Sequence, residues 1–141
     1  MLNKIKEAIA IKLNQEFGDE YAIHTESVMQ GLKEPCFFIV LLTAIQTHVI
    51  GKRYFREQPF DIHYFPSTND STEINDVADR MNDAMEYILM DVDLLSGTKM
   101  SHETIDNVLH FFVNFNFHVY KEPEAIDPME VLTVGSELKK E

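Results

Sequence analysis

Long apolar runs are missing from this chain. The longest, Cys36 to Leu42, has seven residues, against the roughly 20 that a helix needs to cross a bilayer. A membrane partner is therefore not expected. Cysteine is nearly absent as well. Cys36 stands alone, so no internal disulfide can form, and a reducing cytosol is the expected site of folding. Within Pro35-Cys-Phe-Phe-Ile-Val the thiol reads as a small buried hydrophobe. Basic residues are scarce in the second half. Residues 67–141 carry five Lys/Arg against 16 Asp/Glu, whereas residues 1–66 carry seven against eight, for a net charge of −12. A field of that sign repels nucleic acid and anionic lipid. It suits a surface that meets a basic protein, or the wall of a passage to which DNA must not stick. It also serves plain solubility.

Catalytic signatures are missing too. Gly51-Lys52 is followed by Arg53 where a phosphate loop needs Ser or Thr, and the earlier glycine is replaced by Gln46. Asp91-Val-Asp93 opens like a calcium loop, but Leu95 and Ser96 stand at the ligand and glycine positions. The six histidines form no paired metal motif at helical spacing. Ser101-His102-Glu103 has the vocabulary of a triad, yet neighbours in sequence do not build one, and no nucleophile elbow occurs. His63 beside Asp61, with His110, is the nearest approach to acid–base chemistry, although a histidine and an aspartate two apart on a strand are ordinarily just polar side chains facing water. No catalytic residue, metal or cofactor is expected.

What is present is an ordinary globular composition: 141 residues, 45% hydrophobic and 26% charged, enough for one domain with its own core. Lys4, Lys6 and Glu7 lie inside a helical pattern, unlike a secretory signal. Leu2, Ile5, Ile9 and Leu13, extended by Ala8 and Phe17, predict an amphipathic helix over 2–17 that Gly18 ends. Alternation from Tyr21 to Val28 predicts a half-buried strand, and Cys36–Leu42 a central strand covered on both faces. Segment 43–50 loses alternation.

The stretch Gly51 to Pro66 organises the chain. It opens with the basic cluster Lys52, Arg53 and Arg56. It continues as a strand with Phe60, Ile62 and Tyr64 on one face and Asp61, His63 and Phe65 on the other, stopped by Pro66. Three strands with short links predict an antiparallel meander. Asp70 and Glu73 stand at capping-box spacing, with Ser71 or Thr72 as other candidate caps. A helix follows, with a stripe of Ile74, Val77, Ala78, Met81, Ala84, Met85, Ile88 and Leu89. Its other side carries Asp76, Asp79, Asp83 and Glu86, a candidate charged contact surface. Leu94–Thr98 predicts a strand, with Gly97 at a turn or bulge. From Asn107 a long alternation puts Leu109, Phe111, Val113, Phe115, Phe117 and Val119 on one face. The fold class is thus α+β: an N-terminal helix and an antiparallel sheet of four to six strands, helices on one face, in one domain over 1–121. Residues 122–141 read as an acidic tail in which 129–134 add a short strand to this sheet or to a neighbouring copy.

Leu2-Asn-Lys-Ile-Lys-Glu-Ala-Ile9, Gln30-Gly-Leu-Lys-Glu-Pro-Cys-Phe-Phe-Ile39 and Gly51 to Pro66 together resemble a family of phage tail terminator proteins from contractile-tailed phages and PBSX-like prophages of Gram-positive bacteria. The resemblance spans about residues 1–120. It implies a non-enzymatic subunit that assembles with copies of itself, as a six-fold ring, on a finished tail tube. There it would meet tube and sheath proteins on one side and the head–tail connector on the other. It would reside in the host cytoplasm during assembly and then in the virion tail. Lys52, Arg53 and Arg56 against Asp76, Asp79, Asp83 and Glu86 are the candidate complementary patches, since head-to-tail contacts need two different surfaces. Two other readings use the same residues: an acidic immunity-type inhibitor or adaptor covering a basic protein, and an enzyme built on His63, Asp61 and His110.

Overall fold

The computed structural model describes residues 2–25 and 33–121. The chain runs α1 (Leu2–Phe17), β1 (Ala22–His24), β2 (Cys36–Leu41), β3 (Ile45–Ile50), β4 (Arg53–Glu57), β5 (Pro59–Phe65), α2 (Ser71–Ala84), β6 (Tyr87–Met90), β7 (Asp93–Ile105), β8 (Val108–Phe115) and β9 (Phe117–Tyr120). Six strands form one sheet in the order β1-β2-β5-β8-β7-β6, and β3-β4-β9 form a second. The class is α+β with an N-terminal helix. The acidic tail and its expected strand at 129–134 lie outside the described residues.

The main sheet grows from the alternation of β5. Phe60, Ile62 and Tyr64 face the helices and are fully buried. Their cross-strand partners on β8 are Val113, Phe111 and Leu109; on β2, Ile62 pairs with Ile39 and Tyr64 with Phe37. Onto this face α1 sets Ile5, Ile9 and Leu13, and α2 sets Ile74, Val77, Ala78 and Met81. Gly18 ends α1 in the left-handed conformation (φ 91°), its N–H donating to the Asn14 carbonyl at 2.8 Å. Phe17 packs on Phe37 with ring centroids 5.0 Å apart, and the Arg80 guanidinium covers its other side at 4.2 Å. Arg80 also donates to the Glu16 carbonyl at 2.6 Å, which ties α2 to the end of α1.

Several elements differ from expectation. β1 lies parallel to β2, Ala22 opposite Cys36. The antiparallel meander therefore fails at its first step. β2 is only partly covered on its second face: Cys36 is buried there, but Phe38 is half-buried and Val40 exposed, because both helices lie on the other side. Segment 45–50, read as a link, is strand β3. The α2 helix ends at Ala84; Ile88 and Leu89 belong to β6, where alternation buries Ile88 and leaves Leu89 exposed. Gly97 N–H donates to the Glu86 carbonyl at 2.8 Å, and a Cβ there would run into the Met85 carbonyl. That close approach is why glycine stands in β7, just before its register shift between Thr98 and Ser101.

The single strand expected from Asn107 to Tyr120 breaks at Asn116, and the stretch 51–66 breaks in the same way at Gln58. The two breaks face each other: Asn116 Oδ1 accepts from the Gln58 N–H at 3.3 Å. On one side of them β5 pairs with β8; on the other the same two chain segments pair as β4 and β9. One long two-stranded ribbon therefore passes from the main sheet into the second.

Asp70 is the N-cap of α2, its side chain accepting from the Thr72 N–H at 2.9 Å. Glu73 reaches beyond the usual box. It accepts from the Ser67 N–H at 2.9 Å, the Thr68 N–H at 3.1 Å and the Tyr64 hydroxyl at 2.6 Å. Burial pushes its carboxyl up, but the hydrogen bonds from Tyr64, Ser67 and Thr68 outweigh that and bring it down to about 2 from an ordinary 4.5. Burial and the Glu73 contact together raise the Tyr64 phenol. A carboxyl depressed by folding stabilises the protein above its unfolded value and ceases to do so as pH falls through the folded one. Stability is thus expected to decline between pH 4.5 and 2. Glu73→Gln should cost about 1–3 kcal/mol at neutral pH and flatten that decline. Urea titrations at neutral pH and at about pH 3 measure both.

Candidate functional site

Three regions carry side chains without a role in the core. The first lies on the sheet face turned away from the helices. β5 alternation places Asp61 and His63 there, and the β5–β8 register sets His110 directly opposite His63. His63 Nε2 lies 2.8 Å from Asp61 Oδ2, and His110 Nδ1 lies 3.2 Å from the same oxygen. The two imidazole centroids are 4.3 Å apart. Asp61 is 8% exposed, and its Oδ1 is buried without a hydrogen-bond partner among the described residues. Around the cluster Phe65 stands beside His63, and Phe112 stacks on His110 at 6.5 Å. The sequence put Asp61, His63 and His110 together as a weak candidate, and the structure does bring them into contact. Alternation alone gave only the first two; His110 needed the strand register.

The second region is the three-stranded sheet. No residue of β3, β4 or β9 is buried. Ile45, Val49, Ile50 and Tyr120 are between 49% and 72% exposed. The basic cluster is here, but not as one patch. Lys52 is exposed in the Gly51-Lys52 turn, while Arg53 and Arg56 are separated by an odd interval on β4 and so point to opposite faces. Arg53 Nε donates to His118 Nδ1 at 3.2 Å, and its guanidinium lies 5.8 Å from the Tyr120 ring. On the other face Arg56 Nε donates to Gln46 Oε1 at 2.7 Å, and Lys121 covers Tyr54 at 4.3 Å.

The third region is the outer side of α2. Asp76, Asp79 and Asp83 are exposed on one face, and Glu86 is exposed just past the helix end. Among the described residues none of these four has an ion pair, because Arg80, the nearby base, is turned towards Glu16. The sequence missed an apolar surface at the β6 edge. There a groove of about 360 Å³ between α1 and β6 is lined by Ile11, Tyr87, Leu89 and Leu94, all exposed. Leu89 lay in the expected helical stripe, so its exposure could not be read.

This is an α+β chain whose uncommitted side chains are spread over open sheet and helix surfaces, the layout of a protein that works through contacts. Residues 4–127 match the phage tail terminator protein family, and the chain belongs to it. It is a phage tail structural protein, and membership implies contact with other tail proteins. No curated protein matches the chain. Among the described residues no helix is long and apolar enough to cross a membrane.

Proposed function

We propose that the protein completes the tail: copies of it close into a ring on the end of the tail tube, stop further addition of tube subunits and offer a surface to the head-side connector. The observation that carries this reading, beside the family, is the three-stranded sheet. A small sheet with no buried residue has no core of its own and gains little from burial within one chain. Its exposed Ile45, Val49 and Ile50 are accounted for if a neighbouring copy covers them. A ring built head to tail needs a second, different surface. The apolar β6 edge, with the acids Asp76, Asp79 and Asp83 on α2 and Glu86 between α2 and β6, supplies one. Lys52 and Arg53, at the side of the sheet that carries Ile45 and Ile50, then face acidic groups across the contact. Charge at the rim of an apolar contact sets orientation and encounter rate more than affinity. The net charge of −12 keeps the ring from holding DNA that passes it.

The reading is tested by charge reversal. Lys52→Glu with Arg53→Glu is expected to reduce assembly in light scattering at low salt by tenfold or more, and to abolish the salt dependence of the remainder. Unchanged assembly with unchanged salt sensitivity would remove these two basic residues from the contact. A tight one-to-one complex with a basic protein, and no assembly of copies, would favour an inhibitor instead.

A further inference from the structure

We propose that Asp61, His63 and His110 form a binding site for a divalent transition-metal cation of the zinc type. The site is built into the sheet. Residues two apart on β5 share a face, and the cross-strand partner of His63 is His110, so three donors converge without a loop. One ligand atom from each residue lies within 4.8 Å of the other two. In a tetrahedral zinc site with bonds near 2.1 Å, ligand atoms stand roughly 3.3 Å apart. The carboxylate oxygen already lies 2.8 Å and 3.2 Å from the two nitrogens.

The chemistry of the set selects the ion. Two imidazoles and a carboxylate suit zinc and its first-row neighbours, whereas magnesium and calcium prefer oxygen alone. Asp61 supplies the independent sign that something is to be held here. The residue is 8% exposed, its Oδ1 is buried with no partner among the described residues, and its Oδ2 faces two imidazoles. A bound cation would neutralise that carboxylate where hydrogen bonding leaves half of it unsatisfied. Phe65 and Phe112 flank the imidazoles and limit water on two sides. His63 and His110 keep 26% and 20% of their side-chain surface open, which leaves an entry path and a fourth position. Glu103, exposed and paired with His110 across the β7–β8 register, stands beside that position. The ion would pin β5 to β8, the ribbon that continues into the second sheet.

The test uses the full chain without an affinity tag, stripped with chelator and titrated calorimetrically with zinc chloride. One strong site per chain is expected, and zinc should raise the thermal midpoint. Asp61→Asn, His63→Gln and His110→Gln should each weaken binding tenfold or more, since loss of even an outer partner of a metal ligand costs that much. His118→Gln, on β9 outside the cluster, should bind as the unaltered protein does. Asp61→Asn keeps the shape of the side chain, and the two histidines are partly exposed, so the three variants do not share one risk of misfolding. Cobalt added in place of zinc should give the visible absorption of a four-coordinate site. Absence of saturable binding would overturn the proposal. So would binding of equal strength in all three cluster variants, which would leave Asp61 in a hydrogen-bonded pair of histidines and nothing more.

Discussion

Phe111→Ala is expected to remove about 3–5 kcal/mol of folding stability and to lower the thermal midpoint by about 10–15 °C. Phe111 is fully buried on β8, paired with Ile62 on one side and with His102 on the other. It sits on a strand that packs against α2, where neighbouring strands cannot close the space a lost ring leaves. Against a total stability of about 5–15 kcal/mol, this one ring carries a large share of the margin. Ile45→Asp with Ile50→Asp should do the reverse. These side chains are 49% and 72% exposed, so the fold should change by no more than about 0.5 kcal/mol. Assembly of copies should be lost, because an unpaired carboxylate buried in a contact is strongly unfavourable. Thermal denaturation and light scattering on the same samples separate the two effects. A stable Phe111→Ala protein would contradict the described core. Intact assembly of the double aspartate variant would show that β3 is not the contact.

These two expectations mark what the sequence could and could not reveal. Helix α1, its glycine stop and the buried face of β5 were legible because period and burial agree: one face is dry, the other wet. Alternation also identified the dry side of β8. What escaped was where strands change sheets. Phe115 and Phe117 continue one alternation, and nothing local separates them. The break at Asn116 exists only because Gln58 opposes it, a contact between residues far apart in sequence. β3 was missed because none of its residues is buried, so it lacks the one-sided hydrophobicity by which strands are recognised. Its partner is β4 and, on the proposed reading, a neighbouring copy. The helix was overextended for a related reason. Ile88 suits a helical stripe and a strand equally, and only the Gly97–Glu86 pairing decides between them.

The surface was legible in composition but not in arrangement. The acids of α2 were placed on one face by helical period, and they are exposed there without ion partners among the described residues. The arginines looked like a cluster because they are near in sequence, yet strand alternation divides them between two faces. The Asp61, His63 and His110 group shows the opposite case. Its members are 49 residues apart at the widest bond, and the register unites them. The family makes this a phage tail protein; the ring, its partners and the metal are open to direct experiment.

The central claim is that this protein ends tail growth. The most direct measurement is electron microscopy of particles made without its gene, with complementation by the intact gene as control. Overlong tails of variable length, few of them joined to heads, are the expected result. Complete particles with tails of normal and uniform length would contradict it.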